Sequence, residues 1–298
     1  MAQHTVEEIA GRMDGLGIWK AVAPYNWAIV PKGTVFPYFC TLLGGGGETD
    51  PVKIRLLLLE GWQTFHDYVR TRVDHAFGFY SSPMEFAHFE LVFARSGVVK
   101  LFRHDPVYVP REVTDAERDF CARMLWEAYG VMLRIEAEPS LALKFSDERS
   151  IFARFERRSG EWEDGPLVIP EPRPHVEQVS FRKDRMKVAS DLPFDKTDAV
   201  EISFALEVGR ITTERRPRCI YQLTGKTAST GETFLDERHS PNPDGGLKAM
   251  WEGIPARILE AFIRRGRVPG EIHVKDQRMF RLLRPLGIEL PFRLILRG

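Results

Sequence analysis

The amino-acid sequence predicts an α+β protein with two domains, residues 1–170 and 171–298. Its 298 residues suffice for two domains that each bury a core of their own. Alternating apolar and polar segments, typical of half-buried strands, are interspersed with segments whose apolar residues recur at helical spacing. A proline-rich segment at residues 165–174 lacks backbone donors and favours an extended connector, so the domain boundary is placed there.

The first domain is predicted to combine helices with one sheet. Thr5 and Glu8 form a capping-box pattern, and Thr114 with Glu117 forms a second one, so a helix is expected to begin at each. The predicted helices run to about residue 15, over residues 62–73, and from residue 114 through 135. The predicted strands are residues 26–30, 36–43, 53–59, 86–94, 98–102, 141–145 and 151–156.

The second domain is predicted to have the element order β-β-β-α-β-α-β. Its first strand alternates apolar and polar residues regularly from Val200 to Val208, and a polar turn joins the next two strands. A helical stretch after Gly246 is interrupted at residues 253–255, and Pro255 fits the first turn of a helix that ends at Gly266. The remaining predicted strands are residues 219–224, 233–237, 271–274 and 288–295. The remaining predicted helix is residues 276–286.

Charge and hydropathy exclude several classes of protein. Lys and Arg number 42, Asp and Glu number 42, and hydrophobic residues make up 43%, which is ordinary globular composition. The longest aliphatic run, residues 56–59, is far too short to span a bilayer, so no membrane association is expected. The first residues lack the basic and apolar regions of a secretory signal, and we therefore expect a cytoplasmic protein.

Cysteine and histidine spacing shows no metal motif. Cys40, Cys121 and Cys219 are far apart and odd in number, which suits a reducing compartment and small buried apolar side chains. His88 and Glu90 form an H-x-E like that of zinc deaminases, but the P-C-x-x-C that completes those sites is missing. The alternation around them predicts a half-buried strand with His88 and Glu90 on its polar outer face, and neither a metal nor another cofactor is predicted.

Several short segments resemble a family of uncharacterised bacterial two-domain proteins. They are residues 38–44 (YFCTLLG), 102–106 (FRHDP), 108–110 (YVP), the capped helix from Thr114, 267–274 (RVPGEIHV) and 282–290 (LLRPLGIEL). The resemblance covers most of the chain and implies a C-terminal domain of unknown function. Some relatives carry a Cys- and His-rich zinc tail, but this chain has no cysteine after Cys219, so the resemblance implies no metal role.

The four glycines at residues 44–47 allow two interpretations. Glycine lets backbone N–H groups approach an anion, so the run could bind phosphate. Phosphate loops lead from a strand into a helix, however, whereas residues 51–59 are predicted as a strand. We therefore favour a hairpin turn.

The order β-β-β-α-β-α-β resembles that of ribonuclease-H-like domains. That resemblance implies carboxylates on the first strand, the first helix and the end of the fourth strand, and the matching residues are Glu207, Glu252 and Asp276. Three such carboxylates could hold Mg²⁺ and activate water for phosphodiester cleavage. The first-strand acid is Glu where the family uses Asp, and Glu201 with Glu207 could simply form a solvated strand face.

A second candidate surface is rich in arginine. Residues after 174 carry 22 Lys and Arg against 17 Asp and Glu, whereas the preceding residues carry 20 against 25. Arginine forks suit phosphates and carboxylates, so this surface could bind nucleic acid or an acidic protein. A solvated helix face that pairs with acidic groups is the simpler interpretation. The clustered residues are Arg264, Arg265, Arg267, Arg278, Arg281 and Arg284.

These observations favour a binding or interaction module over an enzyme. The chain has no G-x-S-x-G elbow and no recognisable Cys or Ser nucleophile with a histidine partner. The alternative is a divergent ribonuclease-H-like nuclease that depends on Mg²⁺, or a nucleic-acid-binding protein.

Overall fold

A computed structural model describes residues 4–18, 25–44, 52–76, 86–141, 150–171, 178–242 and 246–297. The fold is mixed α+β, as predicted, and these residues form six helices and two sheets of mixed strand direction. The helices are α1 (Val6–Asp14), α2 (Gly61–Ala76), α3 (Asp115–Ala137), α4 (Lys183–Ser190), α5 (Gly246–Arg265) and α6 (Gln277–Glu289). The strands are β1 (Tyr25–Val30), β2 (Tyr38–Gly44), β3 (Val52–Glu60), β4 (His88–Ala94), β5 (Val99–His104), β6 (Arg111–Glu112), β7 (Ser150–Glu156), β8 (Trp162–Val168), β9 (Phe194–Ile211), β10 (Cys219–Thr227), β11 (Thr233–His239), β12 (Val268–Val274) and β13 (Arg293–Leu296).

The chain forms two compact units. The first comprises Met1–Val69, Phe86–Asp105 and Pro110–Arg173, and the second comprises the remaining residues. The domain boundary at residue 170 stays a prediction.

The first unit is built on a sheet with the order β6-β5-β4-β3-β2-β1-β7-β8. All its neighbours are antiparallel except β1 and β7. Apolar side chains of α1 and α3, such as Ile9 and Leu125, share one core with Leu56 and Leu58 of β3. Successive side chains of a strand point to opposite faces of the sheet. Phe65 of α2 therefore packs with the other β3 side chains, which form a second core on the opposite face.

Both predicted capping boxes are confirmed. The Thr5 hydroxyl accepts from the backbone N–H of Glu8, while the Glu8 carboxylate accepts from the backbone N–H of Thr5. Thr114 and Glu117 make the same reciprocal bonds at the start of α3. Each box satisfies backbone donors that the first helical turn leaves without intrahelical partners.

The second unit is built on a sheet with the order β11-β10-β9-β12-β13. The first three strands of this unit are antiparallel, whereas β12 runs parallel to β9 and β13 runs parallel to β12. Ile258 and Phe262 of α5 and Leu283 of α6 share one buried core with Val200 and Ile202 of β9.

Gly270 lies where β12 approaches β9 too closely for any side chain. A Cβ at this position would stand 2.5 Å from the Lys196 carbonyl oxygen and 2.8 Å from the Lys196 carbonyl carbon. Because backbone must move to relieve this clash, we expect Gly270→Ala to lower the free energy of unfolding by about 1–3 kcal/mol in urea titrations. Gly11→Ala is the control, because a Cβ there meets nothing within 4 Å and the exchange favours α1. Equal stability of the two variants would contradict this expectation.

The structure corrects several predicted elements in the second unit. The helical stretch after Gly246 was predicted to be interrupted at residues 253–255, but α5 runs from Gly246 through Pro255 without a break. The final strand was predicted to begin at residue 288, but α6 continues to Glu289. Strand β9 extends beyond residues 200–208 at both ends, and α4 was not predicted.

Other corrections concern the first unit. Residues 162–168 form β8, although residues 165–174 were predicted as a connector, and its place at the sheet edge suits Pro166. The glycine run was predicted as a hairpin turn, and β2 and β3 do pair antiparallel on either side of it. Residues 45–47 of that turn lie outside the described residues, as does nearly all of the predicted strand at 141–145.

Candidate functional site

Strands β4 and β5 bring His88, Glu90 and His104 together in the first unit. His88 lies directly opposite His104 in the antiparallel register, and Glu90 follows two residues later on the same face. Phe89 and Leu91 point to the opposite face, where they join the core beneath α1 and α3.

This cluster is buried. His88 is 1% exposed, His104 5% and Glu90 9%, so the prediction of a polar outer face was wrong. One ligand atom from each residue lies within 4.8 Å of the others, and among the described residues this is the one group of three potential metal ligands. Ionisable groups at such depth need specific partners.

Each histidine has one ring nitrogen occupied and one without a partner. His88 Nδ1 donates to the Phe86 carbonyl oxygen at 2.8 Å, and His104 Nε2 donates to Glu90 Oε2 at 2.7 Å. His88 Nε2 and His104 Nδ1 are buried and have no hydrogen-bond partner among the described residues. Histidines that bind metals commonly donate their second ring nitrogen to a carbonyl or carboxylate, which orients the ring.

Burial and neighbouring charges set the ionisation of the cluster. Burial lowers the pKa of His88 to about 3, and the adjacent His104 acts in the same direction. Burial by itself raises the pKa of Glu90, but the hydrogen bond from His104 and the charge of Arg55 leave it lowered. At neutral pH the cluster therefore presents an uncharged His88 imidazole beside an ionised carboxylate.

Two arginines lie next to the cluster. An Arg55 nitrogen lies 3.5 Å from Glu90 Oε1, and Arg55 is half exposed. Arg103 is bound to Glu60 and Asp105, and its guanidinium lies 4.6 Å from the centre of the Phe89 ring. The Arg103 charge is thus compensated by acids of its own, whereas Arg55 pairs with the Glu90 carboxylate.

We expect the stability of the metal-free protein to fall as the pH is lowered from about 6.5 towards 3. The folded state holds His88 neutral down to about pH 3, whereas the unfolded chain binds the proton near the ordinary value of 6.5. Protonation in this window therefore favours unfolding, by up to about 1.4 kcal/mol per pH unit for this group. Chemical denaturation at a series of pH values measures the slope.

His88→Gln should flatten that slope, since glutamine does not titrate. His66→Gln is the matched control in the same unit, because His66 is more exposed and its Nε2 lies 3.0 Å from the Pro170 carbonyl oxygen. A slope as steep in His88→Gln as in wild type would contradict the assignment to His88, since carboxylates with lowered pKa values such as Glu90 keep some slope in both.

Sequence reasoning noted His88 and Glu90 but missed His104. The available signal was the predicted hairpin of residues 86–94 and 98–102, whose register decides which residues face each other. With a turn at residues 95–98, His104 pairs with His88. The predicted strand ends at residue 102, so the sequence-based assignment does not place His104 opposite His88.

The three carboxylates predicted from the ribonuclease-H-like order have separate partners. Glu207 pairs with Arg238 at 2.8 Å, and Glu252 accepts from the Gln178 backbone N–H at 2.6 Å. Asp276 caps α6 by accepting from two backbone N–H groups, and burial raises its pKa. Glu201 lies 3.4 Å from Arg297. Glu207, Glu252 and Asp276 do not form a metal-ligand group among the described residues.

The predicted arginine surface is partly engaged within the second unit. Arg265 binds the buried Asp198, and Arg267 lies 3.4 Å from the same carboxylate. Arg264 pairs with Glu237 at 3.2 Å, and the Arg278 guanidinium lies 4.2 Å from the centre of the Trp251 ring. Arg281 and Arg284 are exposed on α6.

No helix within the described ranges is both long and apolar enough to cross a membrane. Comparison with known proteins found no matching family model, no matching curated protein and no matching solved structure. The resemblance to uncharacterised bacterial two-domain proteins accordingly stays a prediction.

Proposed function

We propose that this protein binds a divalent transition-metal ion at His88, Glu90 and His104. The observation that carries the proposal is the burial of two imidazole nitrogens without partners beside an ionised carboxylate. Leaving such groups unpaired is costly, and a metal ion would satisfy them. The proposal departs from the sequence-based prediction of no metal, and it keeps only the preference for a binding role over catalysis.

The donor set narrows the choice of ion. Imidazole suits Zn²⁺, Cu²⁺, Ni²⁺ and Fe²⁺, whereas Mg²⁺ and Ca²⁺ prefer all-oxygen sites. Three protein ligands also leave at least one coordination position for water or another ligand. Zn²⁺ and its spectroscopic substitute Co²⁺ are therefore the probes of choice.

Metal binding requires a local rearrangement of the rings. The His88 and His104 rings are stacked with centroids 4.1 Å apart and planes 14° from parallel. A metal ion lies near the plane of each imidazole that binds it, so at least one ring must rotate. The contact between Arg55 and Glu90 must also weaken, since Arg55 competes with the ion for the Glu90 carboxylate.

Titration of the chelator-treated full-length protein with Zn²⁺ or Co²⁺ tests the proposal. We expect one ion per chain, a Co²⁺ visible spectrum typical of nitrogen and oxygen ligands, and reversal by a chelator. At a free metal concentration one hundred times the dissociation constant, the folded state should gain about 2.7 kcal/mol. Absence of stoichiometric binding would refute the proposal.

A second candidate function is nucleic-acid binding or cleavage by the second unit. The element order β9-β10-β11-α5-β12-α6-β13 supports a ribonuclease-H-like fold, and the arginines from Arg264 to Arg284 could contact a nucleic acid or an acidic protein. Cleavage would also need Mg²⁺, which Glu207, Glu252 and Asp276 could hold together only after leaving their present partners. Oligonucleotide binding and Mn²⁺- or Mg²⁺-dependent cleavage by wild type and Asp276→Asn distinguish the two roles.

A further inference from the structure

The second unit contains a cavity of about 270 Å³ beside the first half of α5. One wall is a helical face that includes Gly246, Met250, Gly253 and Arg257, and the other includes Ser240, next to the end of β11. The cavity lies in a different unit from the proposed metal site, and none of its lining residues belongs to that site.

Gly253 leaves free space at the wall of this cavity, although glycine destabilises the helix that carries it. Glycine in a helix interior is about 1 kcal/mol less favourable than alanine. A Cβ at Gly253 would meet nothing within 4 Å, so neither packing nor backbone geometry requires glycine there. What the missing side chain provides is free space in the cavity.

Two polar side chains of the cavity, Ser240 and Arg257, have no hydrogen bond or ion pair among the described residues. Ser240 Oγ is shielded from solvent and has no hydrogen-bond partner there. Arg257 is exposed and makes no ion pair with the described residues, unlike Arg264 and Arg265 farther along the same helix. The Arg257 charge also acts on the adjacent His239, whose Nε2 lies 3.4 Å from Glu237 Oε2. The cavity thus combines a cation without an ion pair and the first turn of α5.

Anionic groups suit this combination. An arginine fork binds phosphate or carboxylate by two parallel hydrogen bonds, and the cavity also adjoins the N-terminal end of α5, which favours negative charge. Met250 and Ile254 add apolar surface, so the cavity also accommodates an apolar body. Its volume restricts that body to a small molecule.

We propose that this cavity binds a small organic anion, whose phosphate or carboxylate group contacts Arg257 and whose apolar body lies over Gly253 beside Met250 and Ile254.

Ligand-observed NMR and calorimetry on the full-length protein test the proposal with phenyl phosphate, benzoate, inorganic phosphate and the neutral benzyl alcohol. We expect phenyl phosphate or benzoate to bind at least about tenfold more tightly than benzyl alcohol, which lacks the charge. Phenyl phosphate should also bind more tightly than inorganic phosphate, which lacks the ring. The order of phenyl phosphate and benzoate identifies the preferred anion.

Variants locate the site. Arg257→Gln should weaken binding at least about tenfold, and Gly253→Leu should abolish it by filling the cavity. Lys248→Gln is the matched control, since Lys248 is an exposed cation of the same helix outside the cavity. Arg257 is on the surface, so its variant tests the proposal even if Gly253→Leu fails to fold. The proposal is overturned if neither organic anion binds at millimolar concentration, or if Arg257→Gln and Lys248→Gln both bind like wild type.

Discussion

Replacement of His104 by alanine is expected to weaken Zn²⁺ binding by at least about a hundredfold. The change removes one imidazole ligand and also the hydrogen bond that holds Glu90 Oε2 at 2.7 Å. His88→Ala should have an effect of similar size, because His88 supplies the other unpartnered nitrogen. Competition with a chromophoric chelator measures the dissociation constants, and the Zn²⁺-induced rise in melting temperature gives a second readout.

His273→Ala is the matched control for these variants. His273 is equally buried and also bonds a carboxylate, with Nε2 2.9 Å from Glu271 Oε2, but it lies in the second unit and belongs to no metal-ligand group among the described residues. It should destabilise the fold without changing Zn²⁺ affinity. Loss of Zn²⁺ binding in His273→Ala alone would place the ion elsewhere and refute the site.

Replacement of Asp198 by alanine is expected to lower the free energy of unfolding by about 3–5 kcal/mol. The Asp198 side chain is 3% exposed and pairs with Arg265, which is 10% exposed and also donates to Thr227 Oγ1 at 3.0 Å. Removal of the carboxylate leaves the Arg265 guanidinium buried without its counter-charge, and that desolvation is the main cost. Urea denaturation monitored by circular dichroism measures the loss.

Two further variants show whether burial is the cause. Arg264→Ala breaks the pair of this exposed arginine with Glu237, and we expect it to cost less than about 1 kcal/mol. Asp198→Ala combined with Arg265→Met should regain part of the lost stability, since the stranded charge is gone. A double variant less stable than Asp198→Ala would contradict this account.

The two helices that begin with capping boxes were predictable because a box is a local feature. The hydroxyl of Thr5 or Thr114 and the carboxylate three residues later bond within one turn, so no distant contact decides the outcome. The alternation of β9 was also predictable, since a strand with one buried face repeats every two residues.

Two predictions based on prolines were wrong, because tertiary contacts outweigh the local preference of proline there. Pro255 lacks the N–H of a helix interior, a loss that normally costs about 3 kcal/mol. In α5 the flanking Trp251, Ile254 and Ile258 are all buried, and that burial offsets the loss. Pro166 was predicted to lie in a connector, but it lies in β8. This strand is at the edge of its sheet, where fewer backbone N–H donors are needed for pairing.

By itself the sequence determined the α+β class, the caps of two helices and the strand that carries His88 and Glu90, all of which depend on neighbours in the chain. Only the tertiary structure decided that this strand is buried on both faces and that His104 lies opposite His88. It also gave the carboxylates Glu207, Glu252 and Asp276 separate partners. The reason is physical: strand register and burial of a second sheet face arise from contacts between distant segments, which local periodicity does not contain.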